Sequence, residues 1–435
     1  MSGHDRWKVL SIDLSEPLPE LRAEPGYDGL HVIFFSSGVP LGHYRLASKQ
    51  LPLSPQHLAN CAAWAVTPSV GDSLLEEGFR SALPSLPEPA LREPEEALNR
   101  LLGLEMPMKQ LGARLFRCES ATAPHKISIA VCTRERPQEL ARCLESLLNL
   151  SEQPHEIVVI DNAPRSAATR ETVARFPGVR YHREPRPGLS AARNTAMAIT
   201  SGDIIAFTDD DATVHPEWTA RLRRCFHDPK VMVTTGLVLP AELETKAQVI
   251  FEQDFQFFHQ GFRRRHFDSE YFAALLSRGV PVWAIGAGVN MAIRRVAFER
   301  GYRFDTRLGP GVLGGCGEDS EFWYHLLADG WSCVYSPSAV VYHFHRRELS
   351  ALRRLVRQYM EGHVAALLLQ FTKYHHAGNL RRVLFELPAE YLFLLFRLAV
   401  TGFSLDNRIL LGGVVGCFSG LRIPLLSRRK QAVMR

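Results

Sequence analysis

"GDIIAFTDDDATVHPEW" occupies residues 202–218. Its apolar run, Ile204-Ile205-Ala206-Phe207, stops almost at once at three adjacent carboxylates, Asp209, Asp210 and Asp211. A short apolar run bounded in this way reads as a buried strand. Neighbouring like charges repel, so the triplet destabilises the chain where it stands unless it meets positive charge. Whether it lies on a ligand-binding edge depends on the strands around it.

Working outward, "KISIAVCT" (126–133), "HEIVVIDN" (155–162) and "VRYHRE" (179–184) read as further strands. Helical patterns separate them. In "RPQELARCLESLLNL" (136–150), Leu140, Leu144, Leu147 and Leu148 share one helical face, and Pro137 suits a first turn. "SAATRETVARF" (166–176) reads as a second helix with Ser166 as its cap, and "GLSAARNTAMAIT" (188–200) as a third. Strands alternating with helices at this spacing imply βαβ units and a parallel sheet. Asp161 and the Asp209–Asp211 triplet then share the carboxyl edge of that sheet, where open α/β folds bind ligands.

Each charged motif has a chemical reading and a plainer one. Carboxylates at a strand end supply hard oxygen ligands for a divalent cation, which in turn neutralises phosphate charge; alternatively they form a solvated turn capping a helix that starts in "DATVHPEW". Asp161 can accept hydrogen bonds from a base or ribose, or simply build an Asp-Asn turn. In "REPRPGLSAARNTA" (183–196), Arg186 and Arg193 carry the fork that matches phosphate oxygens. Asn194 is a poor helix former, so its place there needs a purpose. Glu318 and Asp319 open a helix in "GGCGEDSEFWYHLLADGW" (314–331). They either complement the helix dipole or include a general base approached through Gly309, Gly311, Gly314, Gly315 and Gly317. In "VVYHFHRR" (340–347), His343 and His345 face one side of a strand, where an imidazole can complete a metal site or serve structure alone.

The order of these stretches resembles family 2 glycosyltransferases of the GT-A fold. The elements are "SIAVCTRERPQELARCLESLL", "EIVVIDNAP", "EPRPGLSAARNTA", "GDIIAFTDDD", "GAGVNMAIRR", "GEDSEFWYHLLADGW" and "VVYHFHR", from about Lys126 to Arg346. The resemblance implies an α/β, Rossmann-like, mostly parallel sheet and a nucleotide-diphosphate sugar donor. It implies that Thr133, Arg134 and Glu135 lie against the nucleotide, that Asp161 contacts the base, and that Arg193 lies near the phosphates. Asp209, Asp210 and Asp211 match the DXD region: Asp209 and Asp211, with His343, would hold Mn2+ or Mg2+ on the diphosphate. Asp319 matches the catalytic base, beside Glu318. The sequence departs from the family pattern at Cys132, where Pro is frequent, and at Glu135, where Asn or Asp is.

This assignment implies inverting transfer to an acceptor hydroxyl, a glycan or a lipid-linked sugar, in polysaccharide, glycolipid or cell-envelope synthesis. One base and one displacement give inversion without the covalent intermediate of a two-carboxylate retaining scheme. A nucleotidyltransferase on a similar sheet is the rival enzyme, but "CTRERPQE" (132–139) has neither the Gly nor the Lys of a phosphate loop. A noncatalytic sugar-nucleotide-binding or scaffold subunit is the rival of another class, and the coexistence of the DDD and ED elements argues against it.

The flanks divide by composition. Residues 1–83 read as a small β-rich module, with a turn at Gly38-Val39-Pro40. Residues 84–125 begin with four prolines and read as a linker. The catalytic domain follows over 126–346, and 347–435 is helical, basic and apolar. Two stretches there, 383–400 and 409–426, are interrupted by charge or proline and fall short of a spanning helix. They read as interfacial helices in peripheral contact with a membrane; the alternatives are a helical cap packed on the catalytic domain or on a second copy of the chain, and a full span by 409–426. The chain has 435 residues, 46% apolar and 22% charged, with a formal charge of +5, too small to mark a nucleic-acid binder. Eight scattered cysteines without a CxxC pair read as reduced thiols, and the charged N-terminus lacks a signal core. Together these place the expected site at the cytoplasmic face of the membrane.

Overall fold

A computed structural model describes residues 6–76, 125–255, 260–401 and 407–423. The proline-rich stretch read as a linker, except its last residue, lies outside them, as does the closing "SRRKQAVMR". The chain forms two compact units: residues 1–123 with 239–264, and residues 124–238 with 265–435.

In the first unit, β1 (Trp7–Asp13) runs parallel to β2 (Gly29–Ser36), which pairs antiparallel with β3 (Val39–Ala47). Ser37 and Gly38 turn the hairpin with φ of 48° and 76°, as a two-residue type I′ connection requires. The turn therefore precedes Val39 and Pro40, which are already strand residues. Helix α1 (Pro55–Glu76) buries Leu58, Ala62 and Val66 against Val32, Phe34 and Leu46. A β-rich reading overlooks this helix because Pro68 and a run of small residues blur its period. Within the same unit, the Trp7 amide donates to the Leu243 carbonyl at 2.7 Å.

The second unit is built on a mixed sheet. Its strands are β4 (Ile127–Thr133), β5 (Glu156–Asn162), β6 (Val179–Glu184), β7 (Ile204–Asp209), β8 (Ala212–Val214), β9 (Val231–Pro240), β10 (Arg265–Phe267), β11 (Met291–Arg294) and β12 (Ser332–His343). Their order is β10-β12-β9-β11-β7-β4-β5-β6, with β8 beside β12. The four strands read from the sequence, β7-β4-β5-β6, are all parallel, while β11 enters antiparallel between β7 and β9. Register sets Thr133 level with Asp161, and Cys132 level with Asp209. The carboxylates that end β5 and β7 are thereby brought to one edge.

The crossover helices match the apolar periods with local differences. Helix α2 (Pro137–Leu148) starts on its proline and buries Leu140, Cys143, Leu144 and Leu147; Leu148 is 39% exposed, so Cys143 takes the place expected for it. Helix α3 (Ala168–Val173) begins after Ala167, without a side-chain cap. Helix α4 (Leu189–Ile199) starts where expected. After the acidic triplet no helix begins: residues 212–214 extend as β8, because they pair with Val341, Tyr342 and His343 of β12. Helix α5 (Trp218–Arg224) comes later.

Helix α6 (Glu318–Ala328) precedes β12, and α7 (Leu349–Tyr374), α8 (Leu387–Thr401) and α9 (Asn407–Gly420) follow it. No helix among the described residues is long and apolar enough to cross a membrane.

One buried amide ties the antiparallel half together. Asn290 is wholly buried; its Nδ2 donates to the carbonyls of Leu237 and Ala339, at 2.9 and 2.8 Å, and its Oδ1 accepts from Trp218 Nε1 at 2.8 Å. Asn290→Ala strands three buried polar groups, each worth about 1–3 kcal/mol when left unpaired. We expect the variant to lose roughly 3 kcal/mol or more of unfolding free energy in urea titration. A loss below about 1 kcal/mol would show that the clamp is dispensable.

Candidate active site

The carboxyl edge of the sheet concentrates ionisable side chains that lie far apart in the sequence. Thr133, the last residue of β4, donates from Oγ1 to Asp210 Oδ2 at 2.7 Å. Arg136, just before α2, donates from Nη1 to Asp210 Oδ1 at 3.0 Å and to Asp211 Oδ2 at 2.9 Å. Arg346 Nη1 lies 3.4 Å from the same Asp211 oxygen, and His343 Nε2 lies 3.3 Å from Asp211 Oδ1. Within the chain, the positive partners of Asp210 and Asp211 are thus Arg136, Arg346 and His343. Neither arginine stood out in the sequence. The available signal was position, since Arg136 follows the first strand directly and so lies on the ligand edge.

The three aspartates differ in environment. Burial, reinforced by the charge of Asp211, pushes the Asp210 carboxyl up to about 6 despite Arg136 and Thr133. Burial also opposes the charge on Asp211, but His343, Arg346 and Arg136 outweigh it and hold that carboxyl far below the usual range. Asp209 is raised by burial and restrained by Arg193, and its side chain stays 31% exposed.

Arg193 joins this edge to the next group. It is 2% exposed; Nη1 donates to Glu318 Oε1 at 2.8 Å, and Nη2 lies 3.7 Å from Asp209 Oδ1. A Cβ at Gly288 would fall 2.6 Å from Nη2, so only glycine fits beside the guanidinium. The Gly288 amide donates to Asp319 Oδ2 at 3.0 Å, while Asp319 Oδ1 accepts from the Ser320 amide at 2.6 Å. Glu318 and Asp319 occupy the first turn of α6, after Gly317 in the left-handed region at φ 88°. Burial and the neighbouring Asp319 push the Glu318 carboxyl up to about 7, although Arg193 pulls it down. Asn194 serves structure: it exchanges two 2.9 Å hydrogen bonds with the backbone of Phe304.

The remaining nucleotide-side residues take distinct positions. Asp161 is fully buried, and Tyr181 Oη donates to its Oδ2 at 2.8 Å. Its Oδ1 has no partner in hydrogen-bond geometry, and burial raises the carboxyl even though Tyr181 and Thr169 lower it. Glu135 (φ 56°) turns to the loop after β5, accepting from the amides of Arg165 and Ser166 at 2.8 and 3.1 Å and from Ser166 Oγ at 3.0 Å. Those bonds hold its carboxyl below the usual range. Ser166 therefore serves Glu135 and only weakly approaches the α3 terminus, at 3.4 Å from the Ala168 amide. Arg186 pairs with Glu184 at 2.9 Å instead of facing the edge. Arg134 has no ion-pair partner among the described residues; a Cβ at Gly311 would lie 3.8 Å from its Nη1.

Of Asp209, Asp211 and His343, the last two stand together, while Asp209 turns to Arg193. Among the described residues no group of three or more His, Cys, Asp or Glu side chains is arranged to hold a metal ion. The Asp211–His343 pair nonetheless suits a cation. His343 Nδ1 shares a 2.8 Å hydrogen bond with His345 Nδ1. When His343 donates that bond, its Nε2 lone pair meets a carboxylate oxygen, and a proton or a metal must lie between them.

Fold and site together define an α/β enzyme-type centre with acidic groups on the ligand edge of a parallel sheet. Residues 128–300 match the family model described as Glycosyl transferase family 2. The chain is 29% identical over 229 residues to the succinoglycan biosynthesis protein ExoM of Rhizobium meliloti (strain 1021), covering 50% of this chain and 66% of that one. It is 27% identical over 134 residues to the glucosyl-dolichyl phosphate glucuronosyltransferase of Haloferax volcanii, covering 29% and 43%. It is 26% identical over 236 residues to an N-acetylglucosaminyltransferase of Rhizobium leguminosarum bv. viciae, covering 51% of each. The chain thus spans between 43% and 66% of these relatives' lengths. Among solved structures, the mannosyltransferase PcManGT from Pyrobaculum calidifontis, in complex with GDP-Man and Mn2+, superposes with a TM-score of 0.46 at 16% identity, covering 74% of this chain and 96% of that one. So partial a superposition carries nothing further.

Glu318 gives the centre a pH signature. Its carboxyl releases its proton at about 7 in the folded chain, against an ordinary value of 4.5. Between those values the native state binds more protons than the unfolded state, so this residue makes stability fall as pH rises. We expect Glu318→Gln to lack that fall, and its stability relative to wild type to improve from pH 5 to pH 8 in urea titrations. Parallel curves for the two proteins would refute the assignment.

Proposed function

We propose that this chain is an inverting, metal-dependent glycosyltransferase that moves a sugar from a nucleotide-diphosphate donor to an acceptor hydroxyl. The observation that carries this reading is the buried Arg193, which links Asp209 on the ligand edge to Glu318, beside Asp319. One guanidinium thereby couples the expected donor side to the expected acceptor side.

Each residue then has a task. Asp161, with its unpartnered Oδ1, accepts an N–H of the nucleotide base. Thr133 and Glu135 shape the loops around the nucleotide, and Arg134 meets its phosphates as a bidentate donor. Asp211 and His343, with Asp209, would hold Mn2+ or Mg2+, and that ion would supply Lewis-acid neutralisation of the leaving diphosphate. Asp319 is the general base. Glu318 is buried and committed to Arg193, whereas Asp319 is only half-buried and is oriented by the Gly288 amide. Asp319 takes the proton of the acceptor hydroxyl as its oxygen attacks the anomeric carbon opposite the diphosphate. A single displacement inverts that carbon.

The acceptor is an envelope glycan or a lipid-linked sugar, and the chain works in peripheral contact with the cytoplasmic face of a membrane. Relatives named for succinoglycan biosynthesis and for glucosyl-dolichyl phosphate support that reading. So does the surface of the C-terminal helices. Phe385, Leu392, Phe393, Phe396 and Val400 are exposed by 65–68%, and Leu411 and Phe418 of α9 by 62% and 66%. Exposed aromatics and leucines in such number mark a docking face. Among the basic residues there, Arg381 pairs with Glu386, and Arg382 with Glu386 and Glu390.

Two substitutions separate the roles. Asp319→Asn is expected to bind nucleoside diphosphate normally in calorimetry but to lose transfer by about 10²–10⁴-fold. Asp211→Asn is expected to lose the Mn2+ dependence of that binding. Near-normal turnover in the first, or unchanged Mn2+ dependence in the second, removes the corresponding assignment. For the membrane, the wild-type chain should float with phosphatidylglycerol vesicles and Phe393→Glu/Phe396→Glu should stay behind. Absence of flotation by the wild type would end the peripheral reading.

A further inference from the structure

Helix α7 meets the loop that carries the general base without an intervening side chain. A Cβ at Gly362, in the middle of α7, would lie 1.9 Å from the Cys316 carbonyl oxygen and 2.4 Å from its carbon. The loop is equally bare. Gly315, at φ 66°, would place a Cβ 2.7 Å from the Gln358 carbonyl oxygen, and Gly317, at φ 88°, one 3.2 Å from the Gly362 carbonyl. Gln358 and Gly362 are one helical turn apart and share a face of α7. Backbone therefore packs on backbone at three successive contacts, and Glu318 and Asp319 follow immediately.

A neighbouring face of α7 is braced in the same way. A Cβ at Gly416 of α9 would fall 2.3 Å from the Arg357 carbonyl oxygen, and one at Gly420 would fall 2.4 Å from that of Glu361. Arg357 and Glu361 directly precede Gln358 and Gly362 along α7. This helix is thus held by glycines of α9 on one face while it seats the glycine loop on the adjoining one. Glycine within a helix is less favourable than alanine, so its presence at position 362 calls for a compensating contact, and the Cys316 carbonyl is that contact. Side-chain contacts can absorb small shifts by changing rotamer, whereas backbone contacts at this distance cannot.

We propose that Gly362 is a positioning residue for catalysis: it fixes the height of the Cys316–Gly317 backbone, and through it the place of Asp319 against the Gly288 amide, with Gly416 and Gly420 as the brace behind it. The inference rests on the reading of Asp319 as the base, and it concerns placement of that base rather than donor binding, since the donor-side groups stand at the ends of β4, β5, β7 and β12 and on α4. Misplacing a catalytic group by about 1 Å costs on the order of 10²-fold in rate.

The test uses the full chain carrying Gly362→Ala, with three readouts: calorimetric binding of UDP and GDP in the presence of Mn2+, the rate and pH profile of nucleoside diphosphate release from nucleotide sugars, and maleimide labelling of Cys316 read by mass spectrometry. Cys143 and Cys333, both buried in the sheet unit, report global unfolding in the same digest. The expected result is nucleoside diphosphate affinity within about twofold of wild type, release slowed on the order of 10- to 100-fold with an altered pH profile, and faster labelling at Cys316 alone. A folded variant with wild-type release and wild-type labelling overturns the inference, and so does a parallel loss of binding and release. If the wild type releases nothing from any nucleotide sugar while Cys316 still labels faster in the variant, the functional reading fails and the packing stands. If Gly362→Ala does not fold, Gly416→Ala approaches the same contact from behind: the same split is expected, and a wild-type rate overturns the inference.

Discussion

A single buried cation organises the centre. The Arg193 guanidinium is almost wholly out of water, and an uncompensated charge there would be strongly destabilising. Its compensation comes from Glu318 at 2.8 Å, at the start of α6, and from Asp209 at 3.7 Å, at the end of β7. Removing one partner of such a buried pair typically costs about 3–5 kcal/mol. The strand end after β7, the helix α4 and the start of α6 must therefore be in place together. Gly288 belongs to the same constraint, because it leaves room for the guanidinium and gives its amide to Asp319.

The carboxylates around this cation are placed in graded surroundings. Glu318 is driven towards protonation by burial and by Asp319, Asp210 is raised less, and Asp211 is held ionised by two arginines and a histidine. Such separation lets neighbouring acids serve different ends. Glu318 structures the site, Asp211 offers charge to a cation, and Asp319, set by one backbone amide, is left to exchange a proton. The backbone contacts of α7 with the Gly315–Gly317 loop extend this order away from the charges, into helices whose outer surface is apolar.

Much of this was legible in the residues. Three of the four parallel strands, β4, β5 and β7, were readable because each is a short apolar run buried on both faces, whereas β6 is the outermost strand and exposes Arg180 and Arg183. Helix α2 repeats leucines at helical spacing. The sheet rule then put Asp161 and Asp209 on one edge. The readings that went astray share a physical cause, in that tertiary pairing overrode a local preference. "DATV" extends because it pairs with β12, although its composition suits a cap and helix. Leu148 gives way to Cys143 because the sheet covers a narrower stripe of α2 than the leucines span. The helix α1 escaped notice because small residues and Pro68 leave little apolar period to read.

By itself, the sequence determined the parallel core, its ligand edge, and which residue types stand there, because hydrophobic period and strand–helix alternation are local properties. Only the tertiary structure decided which charges meet. Arg136 and Arg346, rather than Arg186, became the partners of the acidic triplet; Asp211 joined His343 while Asp209 turned to Arg193; and Glu135 bonded to a neighbouring loop. Ion pairs and hydrogen bonds depend on distances of a few ångströms between segments remote in the chain, and no local pattern encodes those distances.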